Sequence, residues 1–96
     1  MNNRSQYELM VILDPDMEEG KSLDAVRSLV IDRDMEIKEE DLWGLRTLAY
    51  PINKKTQGRY ALFYVSTNDR SKLVDLKKEL NIHSAVLRYT LIKSRG

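Results

Sequence analysis

Two kinds of periodicity and one proline predict an α+β sandwich. Four segments have strand length and strand patterning, two carry apolar residues at i, i+3 and i+7, and their order is β-α-β-β-α-β. Pro51 falls inside the second strand segment, cannot donate to a ladder, and so puts that strand on a sheet edge. Both observations are satisfied by the split βαβ, or ferredoxin-like, arrangement: a four-stranded antiparallel sheet in the order 4-1-3-2, with both helices on one face. The 96 residues contain no linker, repeat or low-complexity stretch, so one domain is expected over residues 1–96.

Residues 7–13 form the first strand, nearly all apolar, with Tyr7, Leu9, Val11 and Leu13 on one face and Met10 and Ile12 on the other. Asp14-Pro15-Asp16 ends it. A helix is expected over residues 18–33, its stripe made by Leu23, Val26 and Val30 and its start rich in acids. The second strand begins at residues 35–38, is interrupted by Glu39-Glu40-Asp41, and resumes over residues 42–52. Residues 53–57 are a loop, with Gly58 supplying a positive φ on re-entry. Residues 59–66 form the third strand, where Ala61, Phe63 and Val65 oppose Tyr60, Leu62 and Tyr64. Asn68 or Asp69 caps a second helix with a Leu73, Leu76 and Leu80 stripe, stopping near Asn81. Residues 86–93 form the fourth strand.

A hydrophobic fraction of 42% with 32% charge is that of a soluble globular protein. No apolar run nears the roughly 18 residues of a membrane span, and no signal-like segment follows the N-terminus, so a cytoplasmic protein is expected. Cysteine is absent, which excludes disulfides and thiolate metal sites. No cofactor motif or metal-ligand spacing occurs.

The near-neutral total hides an asymmetry. Residues 1–45 hold twelve acids against five bases, and residues 46–96 three acids against eleven bases. That division suggests an anionic partner. With strands one and three taken to run the same way, Arg4, Lys54, Lys55, Arg59, Lys93 and Arg95 gather at one end of the sheet, and Asp14, Asp16 and Asp69 at the other. Such a basic pole would hold RNA phosphates without reading sequence. The sheet face away from the helices carries Met10, Ile12, Tyr60, Leu62, Tyr64 and Ile92, beside Arg88 and Thr90. An apolar patch of that size suits a protein partner or stacked bases.

Catalysis finds little support. His83 is the one histidine and has no partner of the nucleophile–base kind. Asp14-Pro15-Asp16 would repel the anion that a phosphate-cradling loop after the first strand must hold. Two further non-catalytic readings stay open on the residues alone. Residues 58–63 faintly match the first motif of an RNA-recognition domain, though residues 7–13 lack its companion. A protein-interaction module that does not bind RNA is the other.

The middle of the chain is more specific. Gly44-Leu45-Arg46-x-Leu48-Ala49-Tyr50-Pro51-Ile52-x-Lys54, then Gly58-x-Tyr60, resembles the signature of the bacterial small-subunit ribosomal protein S6 family. Tyr7-Glu8, Leu13-x-Pro15, Arg88 and Ile92-Lys93-Ser94 extend the likeness over nearly the whole chain. The resemblance implies a ferredoxin-like fold and no catalysis. It also implies a place on the central domain of small-subunit ribosomal RNA, bound jointly with small-subunit ribosomal protein eighteen. By position it makes Lys54, Arg88 and Lys93 the leading RNA candidates, with Arg46 next, and the apolar sheet face the candidate for the protein partner. One departure stands out: the interval from Pro15 to Ile37 is about three residues short, slightly under one turn of ~3.6 residues. Asp32-Arg33-Asp34 replaces the glycine usual after the first helix, which leaves that helix's packing for the structure to decide.

Overall fold

The computed structural model describes residues 5–94. Its elements are β1 (Ser5–Leu13), α1 (Glu19–Ile31), β2 (Glu36–Ile52), β3 (Lys55–Thr67), α2 (Arg70–Ile82) and β4 (Val86–Lys93). The sheet order is β2-β3-β1-β4 and every neighbouring pair is antiparallel, which is the ferredoxin-like arrangement.

The covered face follows from strand alternation. Leu9, Val11 and Leu13 of β1 and Ala61, Phe63 and Val65 of β3 are fully buried. They meet Leu23, Val26 and Val30 of α1 and Leu73, Leu76 and Leu80 of α2. Each large side chain so buried contributes about 1.5–3 kcal/mol. The stripe of α1 therefore reaches the core despite the shortened interval. Its exit explains how. Met35 N–H donates to Val30 O (3.3 Å) and Asp34 N–H to Ile31 O (2.9 Å), the two bonds of a Schellman closure. Asp34 takes the left-handed position with φ 57°, a conformation that aspartate tolerates better than most residues. At the start of α2, Asp69 caps by accepting from Ser71 N–H at 2.9 Å, and the Ser71 hydroxyl, which donates to the same carboxyl at 2.6 Å, together with that N–H holds it below the ordinary aspartate value.

Four expectations change. First, β2 is unbroken through Glu39-Glu40-Asp41, which pair with Tyr64, Phe63 and Leu62. Glu40 shares the covered face with Phe63, and Arg27 of α1 clamps it with two hydrogen bonds of 2.7 Å. A carboxylate on a strand is thus satisfied by the helix above it. Second, the β2–β3 connection is a two-residue turn, with Asn53 (φ 48°) and Lys54 (φ 67°) both left-handed. That is the type I′ geometry, whose twist matches the strands. Third, Gly58 is not left-handed and has a packing role. A Cβ there would lie 2.3 Å from Ile12 Cγ2 and 3.3 Å from Leu48 Cδ2.

Fourth, the expected poles do not form. β1 and β3 are antiparallel neighbours, with Ser5 opposite Thr67 and Leu13 opposite Arg59. Taking them as parallel is incompatible with adjacency in an antiparallel sheet. The β2–β3 hairpin therefore rises beside the end of β1, next to Asp14 and Asp16, whereas Lys93 lies beside Tyr7 near the opposite end.

Candidate nucleic-acid and protein interface

The direction of β3 sorts the predicted cations. Lys55, just past the turn, forms ion pairs with Asp14 (3.5 Å) and Asp16. The contact with Asp16, then the charge of Asp14, raises its pKa. Arg59 reaches Pro15 O (3.5 Å) and Glu19 (3.7 Å). Both side chains therefore tie the β3 arm of the hairpin to the β1–α1 loop and the start of α1. Lys54, one residue earlier, stands exposed at the tip. Among the described residues, Lys54, Arg46, Arg88 and Lys93 form no ion pair with a carboxylate. Arg4 and Arg95 lie outside the described residues.

Register then assigns faces. Met10, Ile12, Tyr60, Leu62, Tyr64 and Ile92 all lie on the face away from the helices, as expected, with Glu8, Arg88 and Thr90 among them. Arg46, opposite Gly58, is on that face too. Lys93, opposite Tyr7, is not; it sits towards the helix side of edge strand β4. The structure thus brings Arg46 and Arg88 to the open face, places Lys54 at the tip of the hairpin beyond it, and leaves Lys93 separate.

Two features of this face were not singled out in the sequence. The β2 register shifts between Leu42 and Gly44, so Trp43 is an inserted bulge residue, with Gly44 left-handed at φ 81°. The bulge turns Trp43 onto the open face, where its ring stacks on Tyr60 at 6.2 Å with an interplanar angle of 6°. The Arg46 guanidinium lies 5.9 Å from the Trp43 centroid, within cation–π range. The second feature is a pair of hollows. Trp43 borders one of about 300 Å³, with Glu8, Met10, Leu62, Thr90 and Ile92. Tyr60 borders the other, about 390 Å³, with Ile12, Leu48, Tyr50, Pro51, Ile52 and Arg88. The stacked rings form the wall between them. An aromatic beside a glycine in an edge strand was the available signal, but neither a bulge nor its direction can be read from residue order.

Fold and surface together define a small ferredoxin-like protein built to present an uncovered sheet and a raised hairpin. Comparison with known proteins narrows this class. Residues 6–93 match the family model for ribosomal protein S6. The small ribosomal subunit protein bS6 of Leifsonia xyli subsp. xyli is 41% identical over 93 residues, spanning 93% of this chain and 71% of that protein. The bS6 of Caldanaerobacter subterraneus subsp. tengcongensis is 41% identical over 92 residues, spanning 92% and 95%. Among solved structures, 30S ribosomal protein S6 from Thermotoga maritima superposes with a TM-score of 0.85 at 22% identity, covering 96% of this chain and 89% of that one, which shows the shared fold. The chain belongs to the ribosomal protein S6 family, whose members are structural constituents of the small ribosomal subunit in the bacterial cytoplasm.

Proposed function

We propose that the chain binds the central domain of small-subunit ribosomal RNA jointly with small-subunit ribosomal protein eighteen. The observation that carries this reading is an uncovered apolar sheet face bordered by Arg46 and Arg88, neither of them paired with a carboxylate among the described residues. Arg46, Lys54 and Arg88 serve the RNA from the hairpin side. Lys93 makes a separate phosphate contact from the far end of β4. Arg4 and Arg95 remain candidates at the termini. Lys55 and Arg59 act indirectly, by holding the β3 arm of the hairpin against the β1–α1 loop and the start of α1. Met10, Leu62, Tyr64 and Ile92 serve the protein partner, while Ile12 and Tyr60 lie where the two territories meet.

Fluorescence anisotropy of a labelled central-domain RNA fragment tests the reading, with and without protein eighteen and at two salt concentrations. Tight binding only with the partner is expected. Four phosphate contacts from the described cations give a log–log salt slope of roughly −3. Equal binding without the partner removes joint recognition; no binding in either case removes the RNA role.

A further inference from the structure

The two hollows of the open face differ in charge, and that difference separates their occupants. The hollow bordered by Trp43 contains a carboxylate, Glu8, which disfavours phosphate. Among the described residues, the hairpin hollow has no carboxylate in its lining, and it carries the guanidinium of Arg88, which pairs with no carboxylate there. Its apolar lining includes buried Leu48 and half-buried Ile12 and Ile52. It also offers two aromatic rings, one of them, on Tyr50, 81% exposed. An exposed ring, an apolar lining and an unpaired cation together complement a flat π-system with an anionic handle.

We infer that the hairpin hollow receives one unstacked nucleotide of the bound RNA, its base against Tyr50 and its phosphate on Arg88. The inference rests on the RNA-binding reading above and adds a nucleotide subsite to it. The chemistry is that of single-strand readers, where a base laid on an aromatic ring replaces the stack it left. The volume of about 390 Å³ is in the range of small-ligand sites. The Trp43–Tyr60 stack keeps this subsite apart from the Glu8 hollow, which stays free for the protein partner.

The test uses the full chain with protein eighteen and the central-domain fragment. RNA affinity is measured for the unaltered protein, Tyr50→Ala, Tyr50→Phe and Arg88→Gln. Affinity between the two proteins is measured separately without RNA. Tyr50 is so exposed that its loss leaves the fold intact, which thermal unfolding verifies. Tyr50→Ala is expected to lose roughly 5- to 100-fold in RNA affinity, Tyr50→Phe little, and Arg88→Gln to flatten the salt slope by roughly 0.7. Ultraviolet cross-linking of the assembled complex is expected to attach RNA to the tryptic peptide 47–54, which carries Tyr50. Unchanged RNA affinity of Tyr50→Ala overturns the subsite while leaving RNA binding intact. An equal loss in the protein–protein measurement overturns it too, by making the occupant a protein side chain. If the unaltered protein does not bind the fragment, the RNA-binding reading itself fails, and the subsite with it.

Discussion

The two faces of the sheet are made by alternate residues of the same strands, yet they end in opposite conditions. On the helix side, Leu9, Val11, Leu13, Ala61, Phe63 and Val65 have no exposure at all, and the carboxylate of Glu40 is answered within the chain by Arg27. On the other side, Met10, Ile12, Leu62 and Tyr64 are half-buried, and Arg46 and Arg88 have no carboxylate partner among the described residues. The first face is complete in the isolated chain. The second has apolar area and charge that nothing among the described residues consumes. Stability and binding are therefore written in alternate positions, one residue apart.

The sharpest way to break that contrast is a pair of neighbours. Phe63→Ala is expected to destabilise by about 3–5 kcal/mol, because the cavity forms in a filled core. Leu62→Ala, from a half-exposed site, should cost less than half as much; equal shifts in urea midpoint would erase the distinction between the faces. Gly58→Ala comes next, at about 1–3 kcal/mol, since the new methyl meets Ile12 and Leu48 and the hairpin must shift. This is the one case where crowding on the open face is expected to act like crowding in the core. Glu40→Gln should cost about 1–2 kcal/mol at neutral pH. Arg27 holds the Glu40 carboxyl below its ordinary value, so the folded state binds that proton less readily than the unfolded chain. The contribution is complete above the ordinary glutamate value of 4.5 and disappears as pH falls through the lower folded value. Stability measured against pH should therefore fall less steeply on acidification in the Gln variant. The smallest effect is a gain. Asp34→Gly relieves a left-handed aspartate and should stabilise by about 0.5–1 kcal/mol in thermal unfolding, less whatever the 3.5 Å Lys72 contact supplies.

Much of the fold was legible because it is local. Alternation in residues 7–13 and 59–66 separates the faces, and the spacing of Leu73, Leu76 and Leu80 orients the second helix. Pro51 correctly put its strand at the edge. What escaped was non-local. The relative direction of β1 and β3 decides whether Lys55 meets solvent or Asp16, and the antiparallel order 4-1-3-2 already requires those neighbours to run opposite ways, so the misplaced poles contradicted the predicted topology itself. The left-handed pair Asn53-Lys54 competed with Gly58 for the turn, and glycine attracted the assignment although its real constraint is Ile12. Trp43 stayed hidden because a bulge breaks the period of two on which the reading of faces depends.

The chain has a single tryptophan, and it lies on the open face, 42% exposed and stacked on Tyr60, rather than among the buried residues of the core. Its emission is therefore a built-in optical gauge of occupancy. Covering the sheet changes the polarity around the indole while the fold stays intact, so the unlabelled protein signals the arrival of a partner through its own light.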